Sequence, residues 1–148
     1  MSLIIRPVAP KDRAAWDALY AGYAAFYNVA QTPEMRDTVW SWLHNPAHET
    51  NGFVAEDGTG TLIGLTHYRP FARPLSASTG GFLDDLFVMP AARGSGAAKA
   101  LIDAVANEGK KRSWTVIRWI TAEDNYRARS LYDKAADKTK WVTYDVKL

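Results

Sequence analysis

The stretch LDDLFVMPAARGSGAAKALIDAV, residues 83–105, carries the most information in this chain. Its first part, 83–88, is acidic and apolar with the character of a strand, and it stops at Pro90. A turn containing Arg93, Gly94, Ser95 and Gly96 follows. Ala98, Leu101, Ile102 and Val105 then fall at i, i+3, i+4 and i+7, one face of a helix. A strand that enters a helix through a glycine turn makes an anion site. The first helical N–H groups have no intrahelical partner, and the helix dipole favours negative charge. Arg93, Gly94, Ser95, Gly96, Ala97 and Ala98 therefore read as a cradle for a phosphorylated ligand. A Walker A loop requires GK followed by Ser or Thr, but Lys99 lies between two alanines. A dinucleotide fingerprint matches Gly94 and Gly96 but meets Lys99 where a small residue is required. A glycine turn of this kind also occurs with no ligand at all.

Further along, residues 115–121 form a second strand pattern, with Val116, Ile117, Trp119 and Ile120. Asp124 or Asn125 is a natural helix N-cap. Ala128, Leu131, Tyr132 and Ala135 repeat the one-face spacing. Taken alone, Asn125 is a helix cap and Tyr132 a core aromatic.

Together the two segments resemble a known family. Arg93, Gly96 and Ala98 fit the pattern R/Q-x-x-G-x-G/A. Asn125, Ala128, Leu131 and Tyr132 fit N-x-x-A-x-x-L-Y. Both look like signatures of the GNAT superfamily of acyl-CoA N-acyltransferases, in the right order and spacing. The resemblance implies an α/β fold with a central mixed, mostly antiparallel sheet flanked by helices. Its fourth and fifth strands splay apart to admit acetyl-CoA (coenzyme A). It also implies that the turn amides hold the pyrophosphate and that Leu86, Phe87 and Val88 pair with the pantetheine arm. Asn125 would hydrogen-bond that arm, and Tyr132 would be the general acid. LDDLFVM is similar to the LEDFFVM-type segment of polyamine acetyltransferases, where the first acidic residue is implicated as a base and the second touches substrate. Carried over, Asp84 is the base and Asp85 the amine binder. The ending WVTYDVKL lacks the GF pair of the commoner GNAT pattern. It resembles instead the subgroup acting on polyamines, histone tails and amino acids.

Composition fits this reading. The 148 residues are 47% hydrophobic and 23% charged, proportions ordinary for one globular domain, and a single acetyltransferase domain over 1–148 is expected. A net charge of +2 is too small to argue for nucleic acid. No apolar run approaches the roughly 20 residues of a membrane helix. The opening MSLIIRPVAP is too short in its apolar part for a signal peptide, so a cytoplasmic protein is expected. With no cysteine there is no thiol to carry an acetyl group. His44, His48 and His67 lack ligand spacing with carboxylates, so no metal is expected.

Periodicity predicts strands at 3–6, 52–56, 62–69, 82–88, 115–121 and 140–147. It predicts helices at 11–27 and from Thr32 to about His44, one after the glycine turn, and one at 125–136. Residues 73–81, rich in Pro, Ser and Gly, predict a loop. The β-prone last strand predicts an edge that pairs with a second copy, a homodimer. The expected reaction is acetyl transfer from acetyl-CoA to a primary amine of a small molecule, a polyamine, diamine or amino acid. The alternatives are a protein Lys or N-terminal acetyltransferase, or a catalytically silent CoA-binding regulatory domain.

Overall fold

The computed structural model describes residues 2–148. It orders the chain as β1 (Ile4–Pro7), α1 (Arg13–Phe26), α2 (Pro33–Leu43), β2 (Asn51–Glu56), β3 (Leu62–Arg73), β4 (Ser78–Val88), α3 (Ala97–Lys111), β5 (Ile117–Arg118) and α4 (Tyr126–Ala135). The five strands lie side by side in sequence order. Neighbours are antiparallel except β4 and β5, which are parallel.

One face of the sheet packs on α1 and α2. There Trp16, Leu19, Trp40, Val54, Leu65 and Phe87 form a buried cluster. The other face packs on α3, where Leu101, Ile102 and Val105 meet Ile63, Tyr68 and Leu83. These α3 residues are the predicted apolar face, so period and packing agree. Thr32 caps α2 by accepting a hydrogen bond from the Met35 amide, with Pro33 at the first helical position.

Three expectations need correction. Residues 73–81 are not a loop: β3 runs to Arg73, a short 3-10 turn covers Pro74–Ser76, and β4 begins at Ser78. The glycines that suggested a loop serve close packing instead. A Cβ on Gly81 would lie 2.4 Å from the Trp114 ring, and one on Gly80 would lie 2.7 Å from Phe71. The strand predicted over 115–121 is reduced to Ile117–Arg118, because its ladder with β4 ends at Phe82. The strand predicted over 140–147 is absent. Residues 137–148 form no regular element, and Trp141, Tyr144 and Val146 are each at least 85% exposed. Its β-prone side chains join none of the five strands in a ladder.

Candidate active site

The separation of β4 from β5 makes the site. The two strands pair only at Gly81–Ile117 and Phe82–Arg118. Beyond Phe82 the outer edge of β4 has no neighbour, while its inner edge stays paired with β3 to Val88. The amide of Met89 donates to Ile63 in β3 at 2.9 Å. Antiparallel alternation then turns the N–H groups of Val88 and Leu86 into the gap.

A cavity of about 380 Å³ fills this gap. Its wall includes Leu86, Phe87 and Val88 of β4, the turn from Arg93 to Ala98, and Asn125 and Tyr132 of α4. Every residue expected to hold the cofactor, and the expected acid, therefore lines one pocket. The turn is built for an anion. Gly94 and Gly96 have φ of +84° and +87°, which glycine adopts without strain, and a Cβ on either would meet nothing within 4 Å. Ala97 N–H donates to Ser95 Oγ at 3.4 Å, and Ala100 N–H to the Gly96 carbonyl at 3.0 Å. Among the described residues the amides of Gly94, Gly96 and Ala98 find no acceptor, so three donors face a roomy cavity. The Arg93 guanidinium stacks 4.6 Å over the Phe26 ring and makes no ion pair with a described residue. These features fit the pyrophosphate of coenzyme A.

Asn125 caps α4 by accepting from the Ala128 amide at 3.4 Å. It also donates to the Tyr27 hydroxyl at 3.2 Å, tying α1 to α4 across the pocket. Tyr132 packs edge-on to Trp119 with ring centres 5.4 Å apart. Burial pushes its phenol up to about 12, so it keeps its proton at neutral pH.

The two carboxylates do not line this cavity. They sit on β4 just before Leu86, and Asp84 is the extra residue of a bulge, since His67 pairs with Asp85 and Tyr68 with Leu83. Asp84 is paired with Arg69 at 3.1 Å. Burial still pushes its carboxyl above the ordinary value, with Arg69 opposing. Asp85 faces α1. Burial works against its charge, but hydrogen bonds from His67 and Tyr20 outweigh it and hold the carboxyl below the usual range. Local sequence pattern gave no sign of these partners, because Tyr20 lies 65 positions from Asp85. The only local hint was a histidine in a buried strand, which needs a polar partner.

A larger cleft of about 600 Å³ lies between α1 and the β2–β3 turn, lined by Arg6, Lys11, Ala18, Leu62 and Met89. Arg6 is committed there to Asp12 and Glu56 at 2.7 and 2.8 Å.

Residues 16–136 match the Acetyltransferase (GNAT) family. The chain belongs to that family. As a GNAT enzyme it is an acetyl-CoA-dependent N-acetyltransferase. It is 30% identical over 143 residues to the D-amino-acid N-acetyltransferase HPA3 of Saccharomyces cerevisiae, covering 96% of this chain and 89% of the relative. It is 31% identical over 131 residues to the uncharacterized N-acetyltransferase YhfO of Bacillus subtilis, covering 88% of this chain and 86% of that one. Among solved structures, it superposes on the ribosomal-protein-alanine N-acetyltransferase of Brucella melitensis with a TM-score of 0.82 at 23% identity, over the whole of both chains. The aminoglycoside acetyltransferase AAC(6')-Iy, solved with a bisubstrate analogue, gives 0.85 at 20% identity, over 100% of this chain and 99% of that one. These superpositions place the GNAT fold on the chain.

Proposed function

We propose that this GNAT enzyme acetylates a primary amine of a small molecule, by direct attack within a ternary complex. The observation that carries the reading is the single pocket that gathers the free turn amides, the unpaired edge of β4 and Tyr132. Bound there, acetyl-CoA supplies an activated acetyl group as its thioester. The amides of Gly94, Gly96 and Ala98, with Arg93, hold the pyrophosphate against the start of α3. Leu86 and Val88 offer N–H groups to the pantetheine arm and the thioester carbonyl, and an N–H aimed at developing negative charge lowers the barrier. Asn125 has its side-chain amide at the same wall. Tyr132 gives its proton to the departing sulfur. Asp84, the more basic of the two carboxylates, takes the proton of the amine.

Two acceptor classes have support. The name of the yeast relative favours an amino acid, of the D series first. The adjacent Asp84 and Asp85 favour a diamine or polyamine, whose ammonium groups a carboxylate attracts. A panel of D- and L-amino acids, diamines, polyamines, aminoglycosides and aryl amines, read by release of CoA thiol, tests the reading. Amino acids or polyamines are expected to lead. For the best acceptor, kcat/KM should rise with pH toward the amine's own pKa, and Asp84→Asn should flatten that rise. Aryl amines as the best acceptors would defeat the carboxylate-guided scheme.

We also propose that two copies pair through residues 137–148. The reading rests on the exposure of Trp141, Val142, Tyr144 and Val146 in a β-prone run.

A further inference from the structure

Behind the carboxylates runs a buried chain of hydrogen bonds that the scheme above does not use. The indole Nε1–H of Trp16 donates to Nε2 of His67 at 3.0 Å. Nδ1 of the same ring lies 2.8 Å from Oδ2 of Asp85, and the Tyr20 hydroxyl donates to that oxygen at 2.9 Å. Trp16 is fully buried and His67 is 2% exposed. An indole N–H can only donate. Nε2 of His67 must therefore present its lone pair, and the single ring proton sits on Nδ1, directed at Asp85. The hydrogen bonds hold the ring in one tautomer. A carboxylate behind an imidazole elsewhere orients a general base. Here the outer nitrogen is plugged by a tryptophan, so the pair cannot pass a proton to anything.

Oδ2 takes the donors of His67 and Tyr20, and the Tyr23 hydroxyl also hydrogen-bonds the carboxylate, without sealing it from solvent. The side chain is 19% exposed. A carboxylate kept ionised by neutral donors is a weak base and a good receptor for an ammonium group. We propose that Trp16 and His67 are positioning residues that fix the Asp85 carboxylate, leaving its solvent-facing side to bind the acceptor's ammonium. Asp85 then binds and Asp84 deprotonates. This inference rests on the reading that the acceptor is an amine.

The other titratable groups nearby are accounted for. Tyr20 and Tyr23 face Asp85 from α1, and both phenols are pushed up by burial and by Asp85, so they stay neutral. Arg69 of β3 is engaged by Asp84. His44, the C-cap of α2, packs at a tilt on Trp40, which in turn packs on Trp16.

The test combines imidazole 15N NMR with kinetics, and the chain has only three histidines to assign. In the wild type the His67 ring should carry a proton on Nδ1 and none on Nε2. Trp16→Phe removes the donor that fixes Nε2, so the ring should no longer be held in the Nδ1–H tautomer and the amine KM should rise. His67→Leu should raise the amine KM about 10-fold, the value of one hydrogen bond to a charged group, with the KM for acetyl-CoA unchanged. His67→Asn restores an N–H near the place of Nδ1–H and should recover most of the loss. A purely structural role would lower the melting temperature without this split. A wild-type ring protonated on Nε2, or a folded His67→Leu with the wild-type amine KM, would each overturn the proposal. An enzyme that acetylates no amine would defeat the functional reading above, while the tautomer of His67 would still decide the lock.

Discussion

Tyr132 and Gly96 carry the sharpest predictions at the scale of single residues. Tyr132→Phe keeps the ring against Trp119 and removes the proton. kcat should fall by about 10²-fold, the low end for a general acid, with acetyl-CoA affinity unchanged in calorimetry. Because burial holds the phenol at about 12, Tyr132 is protonated throughout the working range. It should add no falling limb to the pH–rate profile below about pH 10, the ordinary tyrosine value. Wild-type turnover in the variant would leave Tyr132 a packing residue only. Gly96→Glu places a side chain in the open space of the turn and a negative charge where phosphate is to sit. It also forces a non-glycine residue to a φ of +87°. Acetyl-CoA binding should be lost, and unchanged affinity would refute the cradle. Of these residues, the turn and Tyr132 were readable in the chain because their neighbours define them. The Trp16–His67 contact joins positions 51 apart, and no local pattern encodes it.

Among the elements, the junction of β4 and β5 sets where the gap opens. Gly81 pairs with Ile117, its amide donates to the Val116 carbonyl at 2.9 Å, and Trp114 fills the space a side chain would need. Gly81→Ala should lower unfolding stability by about 1–3 kcal/mol, the usual cost of overpacking, and weaken acetyl-CoA binding by moving the hinge of the gap. Urea denaturation with and without acetyl-CoA measures both, and an unchanged midpoint would show that the contact yields freely. This junction also explains which elements could be read from sequence. The helices α1 to α4 were legible from apolar spacing and caps, because a helix is made within its own segment. The start of β4 was not, because Gly80 and Gly81 mimic turn chemistry while they make room for Phe71 and Trp114. The length of β5 was not, because a strand ends where its partner leaves, which no property of 115–121 records.

For the whole molecule, residues 137–148 are the outstanding feature. Trp141, Val142, Tyr144 and Val146 lie exposed, and the last strand of the sheet, β5, has one free edge. Light scattering at micromolar concentration should give twice the mass of one chain, with or without acetyl-CoA. Removing residues 139–148 should return it to one mass. A full-length monomer would refute the pairing. The same sequence run was read as a strand, and the error has a physical form: β propensity describes a surface that wants a neighbour, and this run pairs with none of the five strands. The division of materials in the site has a separate consequence. In the proposed scheme its donor half is made largely of main chain, from the free amides of the turn and the open edge of β4, whereas its acceptor side is made of side chains on α1, β3 and β4. Drift in sequence barely alters a main-chain surface, whereas each change on the acceptor side rewrites the fit. Selection or engineering can therefore retune the nucleophile this scaffold accepts, one side chain at a time, while the acetyl donor stays fixed.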